Sequence, residues 1–133
     1  MSVDRYRRLC GSVSALTYHF VFCPKFRRKV LVGTVAERLQ VLLTERAGDL
    51  GCELLALEVM PDHVHMFVTS LPVHAPQHIV NQLKGYSSRV LRAEFPELRR
   101  RLPSLWSRSY YVGSAGAVSA ETIQNYIEQQ KRS

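Results

Sequence analysis

Glu53 to Met60 and His63 to Ser70 are two extended runs separated only by Pro61-Asp62. A connection this short brings two strands together only as an antiparallel hairpin. Pro61 fixes its own φ and Asp62 favours a turn, so both connecting residues suit the role. The hairpin in turn divides the side chains, because successive strand residues point to opposite faces. Val64, Met66 and Val68 belong on one face, and His63, His65 and Phe67 on the other. The first set calls for a covering of helices. The second puts two imidazoles side by side on the face left over.

The flanking segments supply that covering. Leu16 to Cys23 alternates Tyr18, Phe20 and Phe22 with Thr17, His19, Val21 and Cys23, a half-buried strand that Pro24 ends. Lys25, Arg27, Arg28 and Lys29 follow as a basic loop. From Thr34 to about Leu50, Val35, Leu39, Leu42, Leu43, Ala47 and Leu50 recur at helical spacing, with Gly51 near the end. A second helix is expected after Ala75, with Pro76 in its first turn, running to about Ala93. It turns Ile79, Leu83, Val90 and Leu91 inward and Lys84, Arg89 and Arg92 outward. Arg99-Arg100-Arg101 comes next, and Leu105 to Val112 reads as a fourth strand.

The order β-α-β-β-α-β predicts an α+β fold, a ferredoxin-like split βαβ sandwich whose antiparallel sheet carries helices on one face. One domain over residues 1–133 is expected, with residues 1–14 as a basic arm and 113–119, rich in Gly, Ser and Ala, as a hinge. A last helix is expected at 120–131, with Ile123 and Ile127 on its apolar stripe, Tyr126 at the border and Gln130 projecting between the isoleucines.

Lys and Arg outnumber Asp and Glu by 18 to 11, a net charge of +7 that suits a polyanionic partner such as nucleic acid. Cys10, Cys23 and Cys52 form no Cys-x-x-Cys pair, which argues against a disulfide framework or a zinc ribbon and fits a reducing cytoplasm. No run approaches the ~18 apolar residues of a membrane span, and the charged N-terminus does not resemble a secretion signal, so no membrane association is expected.

His63 and His65 can hold one divalent metal, or can be ordinary strand residues. Tyr126 and Gln130, one helical turn apart, can add a nucleophile and an amide ligand, or can simply pack. Asp62 can order a histidine from behind or serve only the turn, and Glu58 can sit near the same face or in solvent. Lys25, Arg27, Arg28, Lys84, Arg89 and Arg92 are candidates for a nucleic-acid backbone or solvated charges. Trp106, Tyr110 and Tyr111 can stack on bases or fill the core. His19, His74 and His78 receive no chemical role.

Tyr18-His19, the run Cys23 to Leu31, the run Glu58 to His65, Leu83-Lys-Gly85, Leu105-Trp106 and the run Tyr126 to Gln130 occur in this order. On these segments the chain resembles the single-tyrosine HUH transposases of the insertion-sequence 200/605 group, along nearly its whole length. The resemblance implies that His63, His65 and Gln130 bind Mg²⁺ or Mn²⁺ and that Tyr126 is the nucleophile. It implies cleavage and rejoining of single-stranded DNA through a 5′-phosphotyrosine, recognition of hairpins near the element's ends, and a homodimer whose tyrosine helices can act in trans. The competing expectations are a non-catalytic or domesticated hairpin-binding protein of the same fold, a general nucleic-acid-binding module, and a phosphohydrolase with a histidine nucleophile.

Overall fold

A computed structural model describes residues 16–71 and 73–114. The strands are β1 (Leu16–Pro24), β2 (Glu53–Met60), β3 (His63–Ser70) and β4 (Trp106–Ser114). The helices are α1 (Gly33–Asp49), α2 (Pro76–Glu94) and the short α3 (Pro96–Arg101), and a single 3-10 turn occupies Lys25–Arg27. The sheet order is β2-β3-β1-β4, with every neighbouring pair antiparallel. This is the ferredoxin-like arrangement anticipated from the element order.

The core lies between the sheet and the helices. Phe20 and Phe22 from β1 and Val64, Met66 and Val68 from β3 meet Leu39, Leu42, Leu43 and Ala47 of α1 and Ile79, Leu83 and Leu91 of α2. These side chains are almost wholly buried, and each large one is worth roughly 1.5–3 kcal/mol relative to exposure. Ser87 interrupts the apolar stripe of α2 and is itself fully buried. Its hydroxyl donates to the Leu83 carbonyl at 2.7 Å and accepts the Trp106 indole N–H at 3.0 Å, so burial costs it no hydrogen bond. That bond also fastens β4 to α2.

Local signals explain the boundaries. Gly51, at φ 75°, closes α1: its N–H reaches the Gly48 carbonyl and the Cys52 N–H reaches the Ala47 carbonyl, the two bonds of a Schellman cap. In β2 the register shifts between Leu54 and Ala56, so the strand enters with Leu54 on the core face and leaves with Ala56, Glu58 and Met60 opposite Phe67, His65 and His63.

Two boundaries differ from the sequence expectation. The fourth strand starts at Trp106 and continues to Ser114, so Gly113 and Ser114, expected to open the hinge, are ladder residues paired with His19 and Tyr18. Strand pairing with β1 overrides the turn tendency of glycine there. The arginine run is the end of helix α3, which Pro96 initiates. The basic arm, the remainder of the hinge, and the tyrosine helix with Tyr126 and Gln130 lie outside the described residues.

Candidate functional site

The face of the sheet away from α1 and α2 carries the histidines. Alternation along β1 and β3 puts His19 on the same face as His63, His65 and Phe67, and antiparallel register brings His19 opposite Phe67 and Val21 opposite His65. The His19 ring stacks on Phe67 at 4.4 Å between centroids and 6° between planes. Tyr111 from β4 meets it edge-on at 5.7 Å. Gly113, the β4 partner of His19, permits this, because a Cβ there would stand 2.7 Å from the Tyr111 hydroxyl. The His63 and His65 rings lie 4.8 Å apart and nearly perpendicular.

Each histidine of the pair is held through the same ring atom. His63 Nδ1 lies 2.7 Å from Asp62 Oδ1. A carboxylate only accepts, so His63 Nδ1 carries a proton and donates it, and in the neutral ring this tautomer has its lone pair on Nε2. His65 Nδ1 lies 3.2 Å from His19 Nε2, an imidazole to imidazole hydrogen bond. The other carboxylate oxygen of Asp62 receives Arg27 at 3.3 Å. One aspartate therefore ties the histidine strand to the basic turn after β1, where Phe26 and Arg27 hold left-handed backbone at φ 60° and 51°. Such conformations are costly for residues with a Cβ, and the Lys25 N–H to Leu105 carbonyl and Leu31 N–H to Pro61 carbonyl bonds brace the turn on both sides.

The electrostatics favour neutral rings at His65 and His19. Burial, and then the neighbouring His63 and His19, lower the His65 pKa to about 4. Burial lowers that of His19 as well. The hydrogen bond from His63, reinforced by the charges of His63 and Arg27, holds the Asp62 carboxyl below the usual range against a smaller opposing effect of burial. At neutral pH His65 is an uncharged base with a lone pair to give, which suits a divalent metal better than a phosphate.

Glu58 pairs with His65 across the β2-β3 ladder, so its side chain starts from the histidine face. The basic candidates separate into groups. Lys84, expected to face outward, turns to β4: its ammonium donates to the Ser107 carbonyl at 2.6 Å and lies over the Tyr110 ring, and burial lowers its pKa. The aliphatic stem covers apolar surface while the head finds a carbonyl, which is why a lysine on a helix flank can serve packing. Arg92 donates to the Leu102 carbonyl at 3.0 Å, while Arg89 lies over the Tyr86 ring. Arg89, Arg92 and Arg99 together line an open groove of about 470 Å³ between α2 and α3. Lys25 and Arg28 are on the exposed basic turn. Trp106 belongs to the core and Tyr110 packs against it, whereas Tyr111 belongs to the histidine face.

Two of the proposed metal ligands, His63 and His65, are thus adjacent on one face. Tyr126 and Gln130 are outside the described residues, within which no three His, Cys, Asp or Glu side chains form a metal-holding cluster. The residue that sequence reasoning passed over is His19. Its strand phase already put it on the histidine face, but only the pairing of β1 with β3, distant in sequence, makes it the neighbour of His65. No helix among the described residues is long and apolar enough to cross a membrane.

Residues 12–130 match the model of the IS200-like transposase family. The ISDra2 transposase TnpA of Deinococcus radiodurans is 39% identical over 122 residues, covering 90% of this chain and 87% of that protein. The transposase for insertion sequence element IS200 of Salmonella typhimurium is 33% identical over 115 residues, covering 85% of this chain and 75% of that protein. A crystal structure of a Deinococcus radiodurans protein described as a candidate transposase superposes with a TM-score of 0.75 at 40% identity, covering 90% of this chain and 94% of that one. A REP-associated tyrosine transposase bound to a REP hairpin shares the fold, with a TM-score of 0.59 at 16% identity over 86% of this chain and 61% of the other.

Proposed function

This chain belongs to the IS200-like transposase family, and from that premise we propose that it cuts and rejoins single-stranded DNA at insertion-sequence ends, with Tyr126 as the nucleophile. Membership itself makes the protein a DNA transposase. The finer reading is carried by one observation: His63 and His65 stand side by side on the sheet face opposite the helices, each engaged through Nδ1. That arrangement serves a ligand at Nε2 of both rings when each Nδ1 carries the proton.

His63 and His65, completed by the Gln130 amide oxygen, would hold a divalent cation. Neutral imidazole and amide oxygen together suit Mn²⁺ and also accommodate Mg²⁺. When bound, the ion supplies charge neutralisation at the scissile phosphate. Everything else is done by the chain. The Tyr126 oxygen attacks phosphorus in line as the bond from phosphorus to the 3′ oxygen breaks. The phenolic proton passes to solvent, and the departing 3′ oxygen takes a proton from solvent to become a 3′-hydroxyl. The product is a 5′-phosphotyrosine, one phosphoester exchanged for another, so the reverse attack by a 3′-hydroxyl of a second strand rejoins DNA without ATP. An ordinary tyrosine pKa of about 10 means the hydroxyl needs a positive neighbourhood to react at neutral pH.

The partner is single-stranded DNA with hairpin ends. Arg89, Arg92 and Arg99 along the groove, and Lys25, Arg27 and Arg28 on the basic turn, are placed to bear on phosphates, which orients DNA without reading its sequence. The active protein is a homodimer in which Tyr126 of one subunit completes the partner's site.

The test is incubation of the full chain with single-stranded DNA from the flanks of its own gene, in Mg²⁺ or Mn²⁺ against EDTA, resolved on denaturing gels. Wild type is expected to form a metal-dependent covalent adduct that Tyr126→Phe does not form. An adduct that persists in Tyr126→Phe overturns the tyrosine assignment. Hairpin binding with no adduct under any condition points to a non-catalytic hairpin-binding relative instead.

A further inference from the structure

The contact between His19 Nε2 and His65 Nδ1, at 3.2 Å, contains one proton and two nitrogens. With both rings neutral there are two ways to place it. If His19 donates, the remaining proton of His65 sits on Nε2 and its lone pair is spent on His19. If His65 donates, its Nδ1 carries the proton and Nε2 carries a lone pair directed elsewhere. Only the second arrangement lets His65 act as a ligand through Nε2.

His63 shows the same geometry with its ambiguity removed, since Asp62 cannot donate to Nδ1. Metal-binding histidines characteristically give their second N–H to such an acceptor, which fixes the ring and its tautomer. Asp62 serves His63 in this way, and the atom facing His65 in the equivalent place belongs to His19. The His19 ring is itself held, stacked on Phe67 at 4.4 Å and 6° with Tyr111 against its edge. An acceptor that cannot swing away is what such a role needs.

We infer that His19 is a positioning residue for the divalent cation: its Nε2 accepts the Nδ1–H of His65, and so presents His65 Nε2 as the ligand atom. The inference rests on the metal-site reading above and deepens it. It gives the two histidines different backing groups, a carboxylate behind His63 and an imidazole behind His65. It also excludes His19 from binding the ion through the same Nε2.

Two variants separate this from a packing role. His19→Phe keeps an aromatic ring for Phe67 and Tyr111 but removes the acceptor, and His19→Gln restores an acceptor near the Nε2 position. Nitrogen-15 NMR of the metal-free full chain is expected to show His65 protonated on Nδ1 in wild type and in His19→Gln, and to lose that preference in His19→Phe. Mn²⁺ titration followed by electron paramagnetic resonance is expected to show affinity weakened about 10- to 100-fold in His19→Phe, the range for loss of such a backing group, and largely restored in His19→Gln. An unchanged tautomer and unchanged Mn²⁺ affinity in folded His19→Phe overturn the inference and leave the metal site standing. Three imidazole nitrogens coupled to bound Mn²⁺ in pulsed spectra overturn it in favour of His19 as a ligand. Wild type that takes up no Mn²⁺ overturns the metal reading itself, and this inference with it.

Discussion

On the helix side of the sheet, Phe20, Phe22, Val64 and Met66 are buried among aliphatic side chains, while on the other side the same strands present His19, His63 and His65, ordered by ring stacking and by individual N–H contacts. The helix side is organised by volume. Any apolar side chain of similar size and shape would fill much of the same space, and the cost of a change scales with the hole it leaves. The histidine side is organised by direction. Moving a proton from one ring nitrogen to another leaves its volume unchanged and alters its chemistry entirely. A strand residue thus has its tolerance set by its face.

This contrast yields graded expectations. Phe20→Ala should cost about 3–5 kcal/mol of stability, read as a shift in urea midpoint, because a fully buried ring leaves a cavity. His65→Ala should do the opposite: adduct formation falls about 100-fold or more while stability in EDTA at pH 7 changes by less than about 1 kcal/mol. Comparable stability losses in the two variants would erase the distinction between the faces. Trp106→Phe should cost about 1–2 kcal/mol in the same unfolding measurement, since Ser87 loses the indole N–H that satisfies its buried hydroxyl.

Acid should act on the histidine side first. The folded pKa of His65 is about 4 against an ordinary 6.5, so the unfolded chain takes up the proton before the folded one does. Stability in EDTA is therefore full above pH 6.5 and is lost as the pH falls from 6.5 toward 4. Burial of His19 works in the same sense. Asp62 works outside that window: its depressed carboxyl stabilises the fold above its ordinary 3.8 and is lost only at lower pH. Urea midpoints measured between pH 7 and 4.5 should decline less steeply for His65→Gln than for wild type. Equal slopes would remove His65 as the source. The smallest effect belongs to neither face. Glu94→Gln, which breaks the exposed pair with Arg38, should lower stability slightly in dilute buffer and not at all in 1 M salt, because surface charge pairs are screened.

How far the sequence could be read follows the same division. Alternation in β1 and β3 and the helical spacing of Leu39, Leu42, Leu43 and Ala47 announced the core, since apolar periodicity is local and has one use. The histidine pair was legible because two residues apart on a strand is also a local relation. Lys84 was misread as outward because its place at a helix edge does not say whether the ammonium meets water or the Ser107 carbonyl. Ser87 and Gly113 were opaque for a similar reason. Each is explained by a partner far along the chain, Trp106 in one case and the His19 and Tyr111 pair in the other.

By itself the sequence determined the α+β order, the hairpin, the face on which His63 and His65 lie and, through its family motifs, the transposase assignment, because periodicity, turn chemistry and short motifs are carried by neighbouring residues. The tertiary structure alone decided that His19 stands behind His65, that Asp62 joins His63 to Arg27, and that Lys84 turns inward. Those contacts span 46, 35 and 23 residues respectively, the first and third across separate elements and the second from the hairpin to the turn after β1. Hydrogen-bond direction and proton placement depend on which atoms finally meet, and only the folded sheet brings these atoms together.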